Sequence, residues 1–218
     1  MLKKELSTKI VLQLFSPIVI TLILIIILNF VLDDRLFYSI VGIAGLSLFA
    51  FLGKFAILVG IMQPFHLHPL IAAMTIAYLD IILGIFFIMN FDWLYRAPFF
   101  GEKMKKLEKK GKSLMLKYKW VEKLAFWGLV LFVIFPASGT GAIGATFIGK
   151  FIGMKPNLIL YAIILGASIG CLGIAYFGHA IKILFQYDKV LGITIFGFIA
   201  ILLILLYYRK DIKLKKNN

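Results

Sequence analysis

Acidic residues, cysteines and enzyme motifs are all scarce in this 218-residue sequence. It has 10 Asp and Glu residues against 24 Lys and Arg residues, and its one cysteine is Cys171. A lone cysteine excludes an intrachain disulfide, so cysteine usage does not indicate the redox compartment. The sequence has no P-loop, HExxH helix or nucleophile elbow, and its GTGAIG stretch follows no predicted strand. We therefore expect neither an enzyme nor a bound cofactor.

Long apolar runs are what the sequence does contain. Hydrophobic residues make up 62% of the chain, whereas soluble domains are closer to half apolar. A membrane-spanning helix needs about 20 mostly apolar residues, and the runs 12–32, 70–91, 158–181 and 190–208 are of that order. No small-x-small cleavage site follows the first run, so we expect a retained span and not a signal peptide. The sequence predicts an all-α, multi-pass integral membrane protein.

Basic residues lie in three clusters, with net charges of +2 in residues 1–11, +6 in residues 92–123 and +4 in residues 209–218. Basic flanks mark the cytoplasmic side of membrane spans, which explains this charge better than nucleic-acid binding does. We therefore expect a plasma-membrane protein with cytoplasmic N- and C-termini. A single crossing by residues 38–62 would, however, place the central cluster outside.

Two re-entrant hairpins remove this conflict. Residues 38–62 would enter from outside and return, and residues 124–153 would enter from the cytoplasm and return. The stretch FPASGTGAIGATFIG, residues 135–149, is rich in Gly and small polar residues. Such a composition suits broken helix that is buried in protein at membrane depth.

A short self-similarity supports the same architecture. FLGKF, residues 51–55, and FIGKF, residues 147–151, are each followed by Met-x-Pro and then by a long apolar run. Together with the charge-derived topology, this predicts inverted repeats of the kind found in transporters. The predicted parts of this single transmembrane domain are repeat 1 at about 38–91, a cytoplasmic linker at 92–123, repeat 2 at about 124–182 and a last span at 190–208.

The linker has the pattern of an amphipathic helix over residues 101–124. Apolar residues recur every three or four positions apart from a break at Gly111, and lysines fill the other faces. We expect this helix to lie on the anionic inner leaflet, with Lys103, Lys106 and Lys110 as surface contacts. A solvated charge run is the alternative.

Three charges fall inside apolar segments and are the main candidate site residues. Lys54 and Lys150 would face a cavity and attract an anionic group there, unless they extend to the interface as lysines near helix ends do. Asp80 lies near the middle of its span, where a charge costs roughly 2.5–3.5 kcal/mol. It is a candidate for proton coupling, or for a structural pair with Lys54 or Lys150.

The stretch PASGTG, residues 136–141, is the candidate substrate-lining turn. Its alternative role is tight helix packing through small residues. The residues in question are Pro136, Ser138, Gly139, Thr140 and Gly141. His66 and His68 lack a third ligand in the sequence around them, so we expect no metal site.

Residues 128–170 resemble the putative small multi-drug export protein family, through the Pro, the Gly-Thr-Gly-Ala stretch, the small-residue arm and the following span. FLGKFAILVGI, residues 51–61, is similar to that family's first half. The layout more distantly resembles the DedA/VTT superfamily, which is proposed to move phosphate-bearing lipids. The arginines that flank the hairpin proline in that superfamily are absent beside Pro136.

These resemblances imply secondary export of a small molecule or lipid, with proton coupling as a hypothesis. One alternative is a DedA-like phospholipid or polyprenyl-phosphate translocase, and another is a membrane structural or assembly factor. A lipid-modifying enzyme is a third and weaker alternative. The expected partners are membrane lipids and the substrate, without nucleic acid, and a homo-oligomer is compatible with the sequence.

Overall fold

A computed structural model describes residues 2–50, 52–94, 101–136 and 141–187 of the chain. These residues form eight α-helices and one short 3-10 turn, without a β-strand, which confirms the all-α prediction. The helices are α1 Leu2–Val31, α2 Asp34–Phe49, α3 Ala56–Ile61, α4 Pro69–Leu94, α5 Gly101–Lys117, α6 Lys119–Ile134, α7 Gly141–Ile152 and α8 Pro156–Tyr187. The 3-10 turn is Gly53–Phe55. The predicted span at 190–208 and the basic C-terminal segment lie outside the described residues.

The chain divides into two compact units, Met1–Tyr176 and Phe177–Asn218. All packing considered below belongs to the first unit. The described part of the second unit is the end of α8.

Proline and glycine set several helix boundaries. Pro69 and Pro156 are the first residues of α4 and α8, a position where the missing N–H of proline costs nothing. Gly53 has φ 52°, in the left-handed region that glycine adopts without a steric penalty. Gly53 therefore allows the chain to turn after α2, and it is the first residue of the 3-10 turn.

The predicted amphipathic helix over 101–124 is divided in two. The first part, α5, ends at Lys117. Tyr118 then has extended backbone (φ −130°, ψ 94°), and α6 begins at Lys119. Glycine allows α5 to pack on the end of α7, because a Cβ atom at Gly111 would overlap the Ile152 carbonyl group. Gly111, where the apolar pattern breaks, is thus a position of close helix packing. The helix itself is interrupted seven residues later, at Tyr118.

Two helices in the described part of the chain are long and apolar enough to cross a membrane, Pro69–Phe91 and Pro156–Tyr187. Phe15–Val31 and Gly141–Ile152 are shorter apolar helices. Large apolar side chains also cover the outside of the molecule: Ile26 is 57% exposed and Phe30 83% exposed on α1. Exposed apolar surface of this extent among the described residues marks a membrane or protein contact surface.

Two buried clusters form the interior, and each combines a pair of short helices with one long helix. The first joins α2, α3 and α4 with Cys171 and Ala175 of α8. The second joins α6, α7 and α8 with Met115 of α5 and includes Val133, Ala145 and Ile163. Each predicted hairpin segment therefore packs with the long helix that follows it. Re-entrant passage and inverted symmetry stay predictions.

The two pentapeptides that indicated a repeat differ in backbone conformation. Gly53 and Lys54 lie in the 3-10 turn, whereas Gly149 and Lys150 lie inside α7. A Cβ atom at Gly149 would be 2.6 Å from Cγ1 of Ile159, so this glycine permits close packing of α7 and α8. The same Gly-Lys dipeptide is therefore part of a turn in the first pentapeptide and part of a helix in the second.

Close approach of α6 and α8 depends on Gly166. A Cβ atom there would lie 2.6 Å from Cβ of Val133 and 2.8 Å from the carbonyl oxygen of Val130. We expect Gly166→Ala to lower the free energy of unfolding by about 1–3 kcal/mol, because the helices must separate. Gly173→Ala, in the same helix, is the control. It meets nothing within 4 Å and should be neutral or stabilising by up to about 1 kcal/mol. Thermal unfolding in detergent measures both, and equal effects would contradict the packing argument.

Candidate functional site

A buried ion pair joins the 3-10 turn to α4, and a hydrogen bond from the same lysine reaches α6. The Lys54 ammonium lies 2.8 Å from Oδ2 of Asp80 and donates a hydrogen bond of 2.7 Å to the Val133 carbonyl oxygen. The Lys54 side chain is 3% exposed and that of Asp80 is 17% exposed. Of the two pairings considered for Asp80, the structure thus contains the one with Lys54.

Local structure holds Lys54 in place. Its 3-10 turn follows Gly53, and the Ser47 hydroxyl donates a hydrogen bond of 3.1 Å to the Gly53 carbonyl oxygen. Asp80 comes from a regular helix, near the middle of α4. A constrained turn and a rigid helix therefore fix the two charges.

The ends of α6 and α7 meet this pair with opposite polarity. Val133 lies in the last turn of α6, where carbonyl groups lack intrahelical donors and carry the negative end of the helix dipole. Gly141 is the first residue of α7, and a Cβ atom there would lie 3.1 Å from the Lys54 ammonium and 3.2 Å from Oδ2 of Asp80. The carboxylate thus lies at the positive end of α7, and glycine leaves room for it.

A small cavity of about 120 Å³ adjoins the ion pair. Ser47, Gly53, Lys54, Asp80 and Gly141 are among its lining residues. Oδ2 of Asp80 is buried. Among the described residues it contacts the Lys54 ammonium and accepts no further hydrogen bond. The cavity can hold a few water molecules but is well below the roughly 300–1,000 Å³ of usual ligand pockets.

The other candidate residues are distributed differently. Lys150 lies over the Phe91 ring, 5.4 Å from its centroid, and not in the ion pair. Pro136 is half-buried just after α6, while Ser138, Gly139 and Thr140 lie outside the described residues.

The remaining polar candidates also take separate positions. Lys106 and Lys110 are exposed on α5, and the side chain of Lys103 lies outside the described part. His66 and His68 are exposed in the loop before α4. Among the described residues no group of three His, Cys, Asp or Glu could hold a metal ion.

Two residues that hold Lys54 in place, Val133 and Ser47, were not predicted as site residues. The Val133 acceptor is a backbone carbonyl group, which has no sequence signature apart from its place before a helix break. Ser47 lies six residues before Gly53, and its hydroxyl supports the turn. A polar residue ahead of a glycine in an apolar run is a weak signal that could have indicated this support.

The described residues are helical, and two of the helices are long and apolar enough to cross a membrane, which is the pattern of a helical membrane protein. The family described as putative small multi-drug export protein matches residues 53–172, which is more than half of the chain. The chain therefore belongs to this family. No curated protein and no solved structure matches the chain.

Proposed function

We propose that this protein is a secondary exporter of small molecules that couples transport to protons through the Lys54–Asp80 ion pair. The family match supports export. The observation that carries the coupling hypothesis is a buried charge pair next to the ends of α6 and α7, with one side open to a cavity that can hold a few water molecules.

In this proposal, the buried ion pair has two states, one with Asp80 ionised and one with Asp80 protonated. Removal of two charges from water is costly, and their attraction offsets that cost only while both are present. Protonation of Asp80 would cancel this attraction and leave the Lys54 ammonium held by the Val133 carbonyl group. Binding and release of one proton would thus change the contact between α4 and the 3-10 turn.

The size of the cavity favours coupling over direct substrate binding at this position. A volume of about 120 Å³ admits water and protons but not a drug-sized molecule. We therefore assign Lys54 and Asp80 to the ion pathway. Gly141 lines the same cavity and is assigned to the ion pathway with them, so the proposed substrate-lining part is the segment 136–140, with Lys150 near the other end of α7.

We propose a multi-pass topology with re-entrant hairpins and cytoplasmic termini, and helix lengths support the hairpins. The 16 residues of α2 and the 12 residues of α7 extend about 24 Å and 18 Å. A bilayer core is about 30 Å thick, so neither helix crosses it alone. Broken helices that meet at membrane depth are frequent around transporter sites.

Asp80→Asn tests this proposal because the amide has nearly the same shape but cannot be ionised. We expect at least a tenfold loss of proton-driven flux and loss of its dependence on the pH gradient. The assay uses proteoliposomes with three probes: ethidium as an organic cation, fluorescein as an anion and a fluorescent phosphatidylglycerol. Enclosed pyranine reports proton movement.

Asp34→Asn is the matched control. Asp34 is an exposed carboxylate in the first turn of α2, so its replacement should leave flux unchanged. Flux that is intact in Asp80→Asn, with the same pH dependence, would reject the coupling role. Flux of the lipid probe alone would favour a lipid translocase, and no flux of any probe would favour a structural or assembly factor.

A further inference from the structure

A lateral groove between α6 and α8 has the chemistry of a phospholipid site. Its volume is about 620 Å³. Lys123 and Lys155 line it together with the aromatic side chains of Trp127 and Tyr161. We propose that this groove binds an anionic phospholipid with a hydroxylated headgroup, of the phosphatidylglycerol type.

The packing of α6 and α8 explains why a groove opens here. The helices touch at Gly166 and Gly170, where a Cβ atom would lie 2.8 Å from the carbonyl oxygen of Val130 and of Ile134, respectively. Towards the start of both helices, residues such as Trp127 and Tyr161 line open space instead. The groove is therefore a wedge that narrows away from the basic α5.

The walls of the wedge continue as apolar stripes on the outside of the protein. On α6 the stripe consists of Leu124 and Leu131, both 65% exposed, with Trp127 at 59% between them. On α8, Tyr161 is 57% exposed and Ile169 is 52% exposed. Acyl chains fit along such stripes, and aromatic rings at the polar end are typical of the membrane interface.

Charge at the wide end selects the headgroup. Lys123 and Lys155 are exposed, and no anionic partner of either occurs among the described residues. Each lysine near a membrane surface contributes about 1 kcal/mol to the attraction of an anionic lipid. Glu122 and Asn157 also line the groove. The Glu122 carboxylate repels a second phosphate, and the side-chain oxygens of both residues can accept hydrogen bonds from glycerol hydroxyls, which favours a headgroup with one phosphate and free hydroxyls.

Lipid retention on the purified full-length protein tests this site without any transport assay. Native mass spectrometry in detergent would compare phosphatidylglycerol with phosphatidylcholine of the same acyl chains. We expect phosphatidylglycerol to be retained, and the double variant Lys123→Gln, Lys155→Gln to weaken this retention roughly twenty-five-fold, from about fivefold for each lysine. The matched control is Lys109→Gln, Lys112→Gln, which removes equal charge from exposed positions on α5 that do not line the groove.

Fluorescence locates the lipid. Phosphatidylglycerol brominated on its acyl chains should quench the tryptophan emission of the wild-type protein more than that of Trp127→Phe. Equal retention of the two lipids, equal losses in both double variants, or displacement by glycerol phosphate alone would overturn the proposal. A lipid-independent dimer that depends on Lys123 and Lys155 would also overturn it, because a second chain would then fill the groove.

Discussion

Lys54→Met should be among the most destabilising single substitutions in this protein. It leaves the Asp80 carboxylate buried without its ammonium partner and removes the donor to the Val133 carbonyl oxygen. Loss of one member of a buried ion pair costs about 3–5 kcal/mol. We expect a decrease of that size in the apparent free energy of unfolding, measured in detergent from tryptophan fluorescence.

The double variant Lys54→Met, Asp80→Asn separates charge from packing. Replacement of a whole buried pair by neutral groups is often nearly neutral, so the double variant should recover most of the stability that Lys54→Met loses. Lys106→Met, at an exposed position on α5, should change the free energy of unfolding by less than about 0.5 kcal/mol. A Lys54→Met protein as stable as that control would show that the ammonium group is not buried against Asp80.

The double variant also bears on function. If the ion pair only holds the fold together, a stable double variant should transport as well as the wild-type protein. If Asp80 couples protons to flux, the double variant should be folded and inactive. We therefore expect the double variant to be stable but inactive, a combination that a purely structural role of the ion pair does not explain.

Helix content and the central charges could be predicted from the sequence, because apolar runs and intramembrane charges follow from the cost of burial. The helix Pro69–Phe91 agrees with the run at 70–91 to within one residue, whereas Pro156–Tyr187 begins two residues before and ends six residues after the run at 158–181. Because a lone charge inside an apolar segment is unfavourable, the sequence makes Asp80 a candidate for proton coupling or for a structural ion pair. The sequence left two partners open, and the structure contains the pair with Lys54.

The choice between Lys54 and Lys150 depends on tertiary packing. Both lysines follow a glycine between apolar residues, so local patterns treat them alike. The 3-10 turn at Gly53–Phe55 brings Lys54 to Asp80, while α7 continues as a helix and carries Lys150 to Phe91. Helix breaks of this kind depend on contacts with other helices, and a pattern of apolar residues does not encode them.

α7 links two places where glycine replaces a side chain. At its first residue, Gly141 makes room for the Lys54–Asp80 pair. At its other end, Gly153 has φ 83° and approaches the backbone of α5, and the Ile152 carbonyl group faces Gly111. The amphipathic helix α5 therefore contacts the same short helix whose first turn borders the charge pair.

Gly111→Ala should separate α5 from α7. The new Cβ atom would overlap the Ile152 carbonyl group, and this obstacle is backbone at the end of a helix, so a rotamer change cannot relieve it. Insertion of a methyl group into such a contact costs about 1–3 kcal/mol and occasionally more. We expect a loss at or above the upper end of that range, with a large decrease in amide-exchange protection of α5.

Gly128→Ala is the control, because a Cβ atom at Gly128 in α6 meets nothing within 4 Å. It should leave the protection of α5 unchanged and raise stability slightly, since alanine favours helix more than glycine. Met115 of α5 is 7% exposed, so its detachment in Gly111→Ala should also increase proteolysis within residues 101–117. Protection of α5 that is equal in the two variants would mean that α5 does not pack on α7 through Gly111. Lower flux in Gly111→Ala, with the Lys54–Asp80 residues unaltered, would be the expected consequence of displacing α7 from the pair.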